Sequence, residues 1–218
     1  VLRIISDLLH IPIIHLEHTL PYPAWSTGKM NELYNMSANE TVFISDYSRN
    51  KWGYSEKDSI VIEHCVDTDL FKYDGGHRQK VVLTVVKDYI NRDYCCGYGI
   101  YKVATKDIPT RPVGDTPGFS KPANTIFELV NSYNTSSIFL NTSTVSPIPT
   151  ALLEAAACEC ACVSTSNCLI PDIFTHNHDA LLTNNPLEMK KYLKYLLKNP
   201  KDRIRLGKNA RQTVLDRF

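Results

Sequence analysis

The sequence predicts an α/β protein: a parallel sheet with helices on both faces. Three observations predict it. Short apolar strands alternate with helical stripes along most of the chain. Lys80-Val-Val-Leu-Thr-Val-Val86 is a near-continuous β-branched run, as in a central parallel strand covered on both sides. The strand Ser137-Ile-Phe-Leu140 leads through a polar, proline-bearing loop into an alanine-rich helix. Ligands of doubly wound sheets bind beyond the carboxyl ends of strands, where such loops lie.

The elements follow in order. Leu2–Leu9 is helix-like, and Ile11-Pro-Ile-Ile14 is a strand ending in the polar stretch His15-Leu-Glu-His18-Thr. Thr41–Ser45 is a buried strand, followed by a helix that Ser45 or Asp46 can cap. Ser59–Ile62 is a third strand. The turn Asp67-Thr-Asp-Leu-Phe71 returns Phe71 to the core. Asp74-Gly-Gly-His77 breaks both periodicities and reads as a linker. After the Lys80 strand come a helix over Cys95–Thr105, a strand at Thr110–Val113, a turn at Gly114–Gly118 and a short helix over Ile126–Tyr133. The Ile138 strand, the Glu154 helix, the strand at Cys162–Thr165, Ile170–Phe174 and Leu181-Leu182 continue the alternation. Leu187, Tyr192, Leu193, Leu196 and Leu197 make a helical stripe, and Lys201–Phe218 is a final amphipathic helix.

Composition narrows the classes. The 218 residues are 43% hydrophobic and 22% charged, ordinary for a globular protein, with net charge +1. That balance gives no bulk attraction for nucleic acid or an anionic membrane. No run is long enough for a membrane span and no secretory signal is visible. The expected compartment is cytoplasmic. The chain starts at Val1 within an apolar segment and stops at Phe218 within a helix, so a fragment of a longer protein is expected. The seven cysteines are odd in number and lack the spacing of a disulfide framework. Cys158, Cys160 and Cys162 alternate, as soft-metal ligands could, but they straddle a helix end and a strand start, where small apolar thiols pack well. No metal is expected.

The chemistry concentrates in Ser146-Pro-Ile-Pro-Thr-Ala-Leu-Leu-Glu154. A helix N-terminus offers free amides and a positive dipole end to an anion. Glu154, read as lying in the first turn, would repel a phosphate on top of it but could accept hydrogen bonds from a ribose diol. Its alternative role is to complement the helix dipole. Pro147 and Pro149 have no N–H, so Ile148, Thr150 and Ala151 are left as donors.

These residues carry a resemblance. The chain is similar to GT-B-type retaining glycosyltransferases of the family-4-like group. The matching stretches run in order: Val42–Ser48, Val61–Phe71, Val113-Gly-Asp115, Ile138–Ser143, Leu152-Leu-Glu-Ala155, Asn209-Ala-Arg211 and Arg217-Phe218. The resemblance implies two Rossmann-like domains. Residues 1–75 would be the last part of the N-terminal, acceptor-side domain, and 76–218 the nucleotide-sugar-binding C-terminal domain. The absent N-terminal part would carry that domain's glycine-rich loop.

The resemblance also assigns roles. Glu154 matches the second glutamate of the family's E-x7-E motif and would hold ribose. Ser146 replaces the first glutamate and keeps only a hydroxyl for the donor sugar. Arg92 matches the arginine that neutralises the leaving diphosphate. The lysine that usually accompanies it is missing, since Cys96-Gly97 stands where Lys-Gly is expected; Lys102 is the conceivable substitute. His18 matches a strand-end histidine near the transferred sugar, with His15 read as its neighbour on the same side of the strand. Cys65 replaces a turn glycine, and Glu159 and Ala161 replace a glycine and a proline. Asn177 stands where glycine is common, and the stretch between Gly114 and Ile138 is short.

The implied function is retaining transfer of a sugar from a nucleoside diphosphate sugar to a glycan, lipid or small-molecule acceptor, with no cofactor and no metal. Asp67-Thr-Asp69 has the spacing of a metal motif but belongs to a turn. The main rival is a catalytically degenerate module that binds a nucleotide or glycan. A nucleotide-sugar epimerase would want a Gly-rich dinucleotide fingerprint, which is absent, and a phosphorylase a lysine-bound pyridoxal cofactor.

Overall fold

The computed structural model describes residues 2–21, 28 and 38–218. It divides into two units, Val1–His64 and Cys65–Phe218. The division falls ahead of the Asp74–His77 stretch expected to link the halves.

The first unit holds α1 (Leu2–Leu9), β1 (Ile14–Glu17), β2 (Glu40–Phe43), α2 (Asp46–Lys51) and β3 (Ile60–Val61). Its strands pair in parallel in the order β1-β2-β3. The first strand begins at Ile14 rather than Ile11. Pro12 has no N–H for a ladder, and the Ile13 amide donates to Asn39 Oδ1 at 2.8 Å. Ser45 caps α2 by accepting from the Ser48 amide at 3.1 Å, as its position predicts.

The second unit holds β4 (Gln79–Val85), α3 (Asp93–Cys96), α4 (Tyr98–Ala104), β5 (Thr110–Val113), α5 (Ile126–Asn134), β6 (Ser136–Asn141) and α6 (Thr150–Ala157). Then come β7 (Ala161–Ser164), α7 (Ile170–Ile173), β8 (Ala180–Leu182), α8 (Pro186–Lys198) and α9 (Pro200–Arg217). The five strands are parallel in the order β5-β4-β6-β7-β8. Between β5 and β6 lie an isolated bridge, Val113 to Lys121, and α5. The β-branched run became β4, paired on both sides. Strand alternation sends Val82, Ile138, Leu140 and Val163 into one core with Met189, Leu193 and Leu196 of α8. Phe139 points to the opposite face, where its ring lies 5.9 Å from that of Tyr133.

The expected Cys95–Thr105 helix is two short helices broken at Gly97, whose φ is +73°. The Cys158, Cys160 and Cys162 side chains are fully buried, and Cys160 and Cys162 donate weakly to backbone carbonyls at 3.3–3.7 Å. Burial raises their thiols, Cys160 to about 11. Asn177 has φ +62° and Glu159 φ +57°, so both adopt the left-handed backbone that glycine favours.

Helix α6 packs against α9, and arginines close its carboxyl end. Arg211 donates to the carbonyls of Ala157, Phe71 (3.1 Å) and Thr68 (3.3 Å). Arg78 donates to those of Cys158 and Glu159 (2.6 Å), while its guanidinium stacks 3.8 Å from the Tyr73 ring centre. Cations at a helix carboxyl end meet both its orphan carbonyls and its dipole. Replacing Arg211 with Met strands three carbonyls. The expected loss is about 2–3 kcal/mol of stability in a urea titration; an unchanged midpoint would show the clamp to be idle.

Candidate active site

Loops at the carboxyl edge of the second sheet are tied to one another. After β4 the chain turns through Asp88-Tyr-Ile-Asn-Arg92 into α3. The carbonyls at the end of α3 then become acceptors for the segment after β6. Thr144 Oγ1 donates to Tyr94 O at 2.9 Å, the Thr144 amide to Cys95 O at 2.8 Å, and Thr142 Oγ1 to Cys96 O at 2.7 Å. The buried Tyr89 hydroxyl bonds Thr142 Oγ1. Gly97 lies so close beneath that a Cβ would stand 2.1 Å from Thr142 O. Close approach and positive φ together explain a glycine here.

The loop after β5 joins the same network. Asp115 Oδ1 accepts from the Asp88 amide at 2.7 Å, and Thr116 Oγ1 accepts from the Tyr89 amide at 2.7 Å. Gly114 passes the β4 end so closely that a Cβ would lie 1.9 Å from Val86 O. The Arg92 turn and the Ser146 loop therefore emerge from the same edge of one sheet, with defined spacing.

Arg92 is exposed at the N-cap of α3, and no carboxylate pairs with it among the described residues. Ser146 is half-buried, and its hydroxyl has no partner among the described residues. Ile148 is buried and anchors the loop by its side chain. Pro149 precedes the first turn of α6, and its carbonyl accepts from the amides of Leu152 (2.9 Å) and Leu153 (3.3 Å). No described residue accepts from the amides of Ile148, Thr150 or Ala151. Thr150 is exposed and Ala151 half-buried. These are the three donors the sequence leaves once the prolines are removed.

Glu154 requires a correction. The helix starts at Thr150, so Glu154 is its fifth residue and no acid occupies the first turn. It lies about 6 Å along the axis from the helix start, too deep to serve merely as a first-turn dipole partner. Its Oε2 accepts from Tyr133 Oη at 2.7 Å, and its Oε1 has no partner among the described residues. Burial pushes its carboxyl above the usual range, and the Tyr133 hydrogen bond partly opposes that.

His18 lies in the first unit, exposed, one residue beyond the carboxyl end of β1. His15 is not its same-side neighbour: an odd separation of three residues puts them on opposite strand faces. His15 instead shares a face with buried Glu17, with His15 Nε2 3.7 Å from Glu17 Oε2. Glu17 also accepts from the Thr19 amide (2.7 Å) and hydroxyl (2.6 Å). Burial, then the charge of nearby His18, lowers the pKa of His64. Lys102 is exposed in the last turn of α4, with Nζ 5.2 Å from the Tyr98 ring centre. Asp67 Oδ1 accepts from the Asp69 and Leu70 amides at 3.1 and 3.0 Å, a turn-capping carboxylate. Among the described residues no group of three or more His, Cys, Asp or Glu could hold a metal ion. Nor is any helix there long and apolar enough to cross a membrane.

Tyr133, Thr142 and Thr116 escaped the sequence reading. Their partners lie 21 to 53 residues away in the chain, and no short motif marks such pairs.

This architecture, parallel sheets flanked by helices in two units, is that of the GT-B glycosyltransferases. Residues 108–218 match the model of the glycosyl transferase-like family, and the chain belongs to that family. HepE from Anabaena superposes with TM-score 0.78 at 16% identity, over 99% of this chain and 70% of its own. TarM of S. aureus superposes with TM-score 0.76 at 12% identity, over 94% of this chain and 47% of its own. Sucrose-phosphate synthase from Thermosynechococcus elongatus gives 0.75 at 14% identity, over 94% and 63%. The chain thus spans about half of TarM and under two thirds of the synthase. No curated protein sequence matches it.

Two outcomes test this geometry. Gly97→Ala is expected to lower stability by about 2–4 kcal/mol, because the methyl meets the Thr142 carbonyl at positive φ; a thermal midpoint like that of the parent would refute the tie. Glu154 carries a raised carboxyl pKa, so the folded state holds the proton more tightly than the unfolded chain. Its cost is absent below the unfolded pKa and grows until pH exceeds the folded one. Glu154→Gln should therefore raise the melting temperature at neutral pH, with the gain vanishing in acid.

Proposed function

We propose that the chain supplies the donor half of a retaining glycosyltransferase, taking a nucleoside diphosphate sugar and passing its sugar to a glycan, lipid or small-molecule acceptor. The observation that carries the reading is the set of amides at Ile148, Thr150 and Ala151 that no described residue accepts from, on the same sheet edge as Arg92, which pairs with no carboxylate among the described residues. Amides at a helix start and a guanidinium together suit a diphosphate. HepE has been crystallised with UDP and with UDP-glucose, which makes UDP the first nucleotide to try.

In this reading residues 76–218 form the donor domain and 1–75 the end of the acceptor-side domain. Arg92 and the loop amides take the charge that develops on the departing diphosphate. Glu154 Oε1 accepts from a ribose hydroxyl. Ser146 hydrogen-bonds the sugar, and His18 orients it, supported by its exposed place just past a strand end. The cationic work needs no metal, and the transfer needs no cofactor. The place of work is the cytoplasm.

Two departures favour a second reading, a module that binds a nucleotide without turnover. Ser146 lacks the charge of a glutamate, and Cys96 lacks that of a lysine. Calorimetry on the chain, together with donor turnover by the full-length protein, separates the readings. UDP is expected to bind, with affinity about tenfold weaker in Arg92→Ala and several-fold weaker for 2′,3′-dideoxy-UDP. Binding without turnover supports the module. No UDP binding, or equal binding by Arg92→Ala, contradicts the site.

A further inference from the structure

Tyr133 stands at the end of α5, fully buried, between two aromatic rings: Phe71 at 6.1 Å and Phe139 at 5.9 Å between centroids. Its own carbonyl accepts weakly from Cys160 Sγ at 3.3 Å. The phenol therefore has little room to move. Its hydroxyl has a single partner among the described residues, Glu154 Oε2 at 2.7 Å. A buried tyrosine hydroxyl needs a partner, and a half-buried carboxylate needs a donor. Each meets the other's need. The bond occupies one carboxylate oxygen and leaves Oε1 unpartnered among the described residues.

From this we infer that Tyr133 is a positioning residue for nucleotide binding: it fixes the Glu154 carboxylate by one oxygen and reserves the other for a single ligand hydroxyl. The inference rests on the donor-site reading only for the ligand; the carboxylate's orientation and charge do not depend on it. Burial pushes the Glu154 carboxyl above its ordinary range, and the Tyr133 hydrogen bond opposes this. Tyr133 itself stays protonated, since burial and then the neighbouring carboxylate hold its pKa far above the ordinary value. It acts as donor and never as base.

The bond also explains why the glutamate can lie so deep in α6. At the fifth helical position its carboxylate takes no hydrogen bond from its own helix among the described residues. A donor from another element must hold it, and α5 provides one from 21 residues earlier in the chain.

The test is Tyr133→Phe, which keeps the ring and its packing and removes only the oxygen. Phe139→Leu is the packing control. Two readouts are taken. The first needs no ligand: the Glu154 carboxyl is titrated by NMR in the parent, Tyr133→Phe and Phe139→Leu. The second is calorimetric titration with UDP across pH.

In Tyr133→Phe the Glu154 midpoint is expected to move up, UDP affinity at neutral pH to fall about tenfold, and the acid-side loss of affinity to set in at higher pH. Phe139→Leu should lower the melting temperature but leave the Glu154 midpoint in place. A Glu154 titration unchanged by Tyr133→Phe overturns the inference, whatever UDP does. If the midpoint moves but neither parent nor variant binds UDP, the orienting bond stands and the donor-site reading fails. If Tyr133→Phe binds UDP like the parent at every pH, Tyr133 serves packing alone and the positioning role is refuted.

Discussion

The candidate site depends on one junction: the carbonyl end of α3 accepting from Thr142 and Thr144 at 2.7–2.9 Å, with Gly97 pressed against the Thr142 carbonyl. Without it, the turn bearing Arg92 and the loop bearing Ser146 would be two independent surface segments. Such hydrogen bonds are individually worth only about 1 kcal/mol. Their weight here lies in number and placement. Each unmade bond would leave a carbonyl without its partner, and the junction brings two strand ends into a fixed relation. The Gly114–Thr116 loop adds a third strand end through the amides of Asp88 and Tyr89.

A second constraint acts at the other end of α6. Arg78 and Arg211 take the carbonyls that follow the helix. The amino end of the same helix leaves the amides of Thr150 and Ala151 without acceptors among the described residues. The helix is thus satisfied where it meets the protein interior and unsatisfied at the carboxyl edge of the sheet. That asymmetry gives a helix start the character of an anion site. Glu154 fits the same division of labour: one oxygen belongs to Tyr133, the other to no described residue.

Much of this was legible in the sequence. The β-branched run at Lys80–Val86 marked β4 because a strand covered on both faces has no polar face to alternate. The prolines of the Ser146 loop singled out the amides that no described residue accepts from, since proline has none to give. Asn177 took the left-handed backbone its side chain tolerates. What failed depended on contacts distant in sequence. Apolar Ile11-Pro-Ile reads as strand, yet Asn39, 26 residues away, takes the Ile13 amide. The Cys95–Thr105 stripe reads as one helix until Thr142 forces the break at Gly97. Tyr133 reads as an ordinary core aromatic until α6 brings Glu154 to its hydroxyl.

The central claim is that the start of α6 receives a diphosphate. Backbone amide spectra of the nitrogen-15-labelled chain, recorded during titration with UDP and with inorganic pyrophosphate, test it most directly. The account predicts that both ligands shift the amides of Ile148, Thr150 and Ala151, and that only UDP also perturbs Glu154. Shifts confined to another surface, or pyrophosphate leaving those amides unmoved, would contradict it.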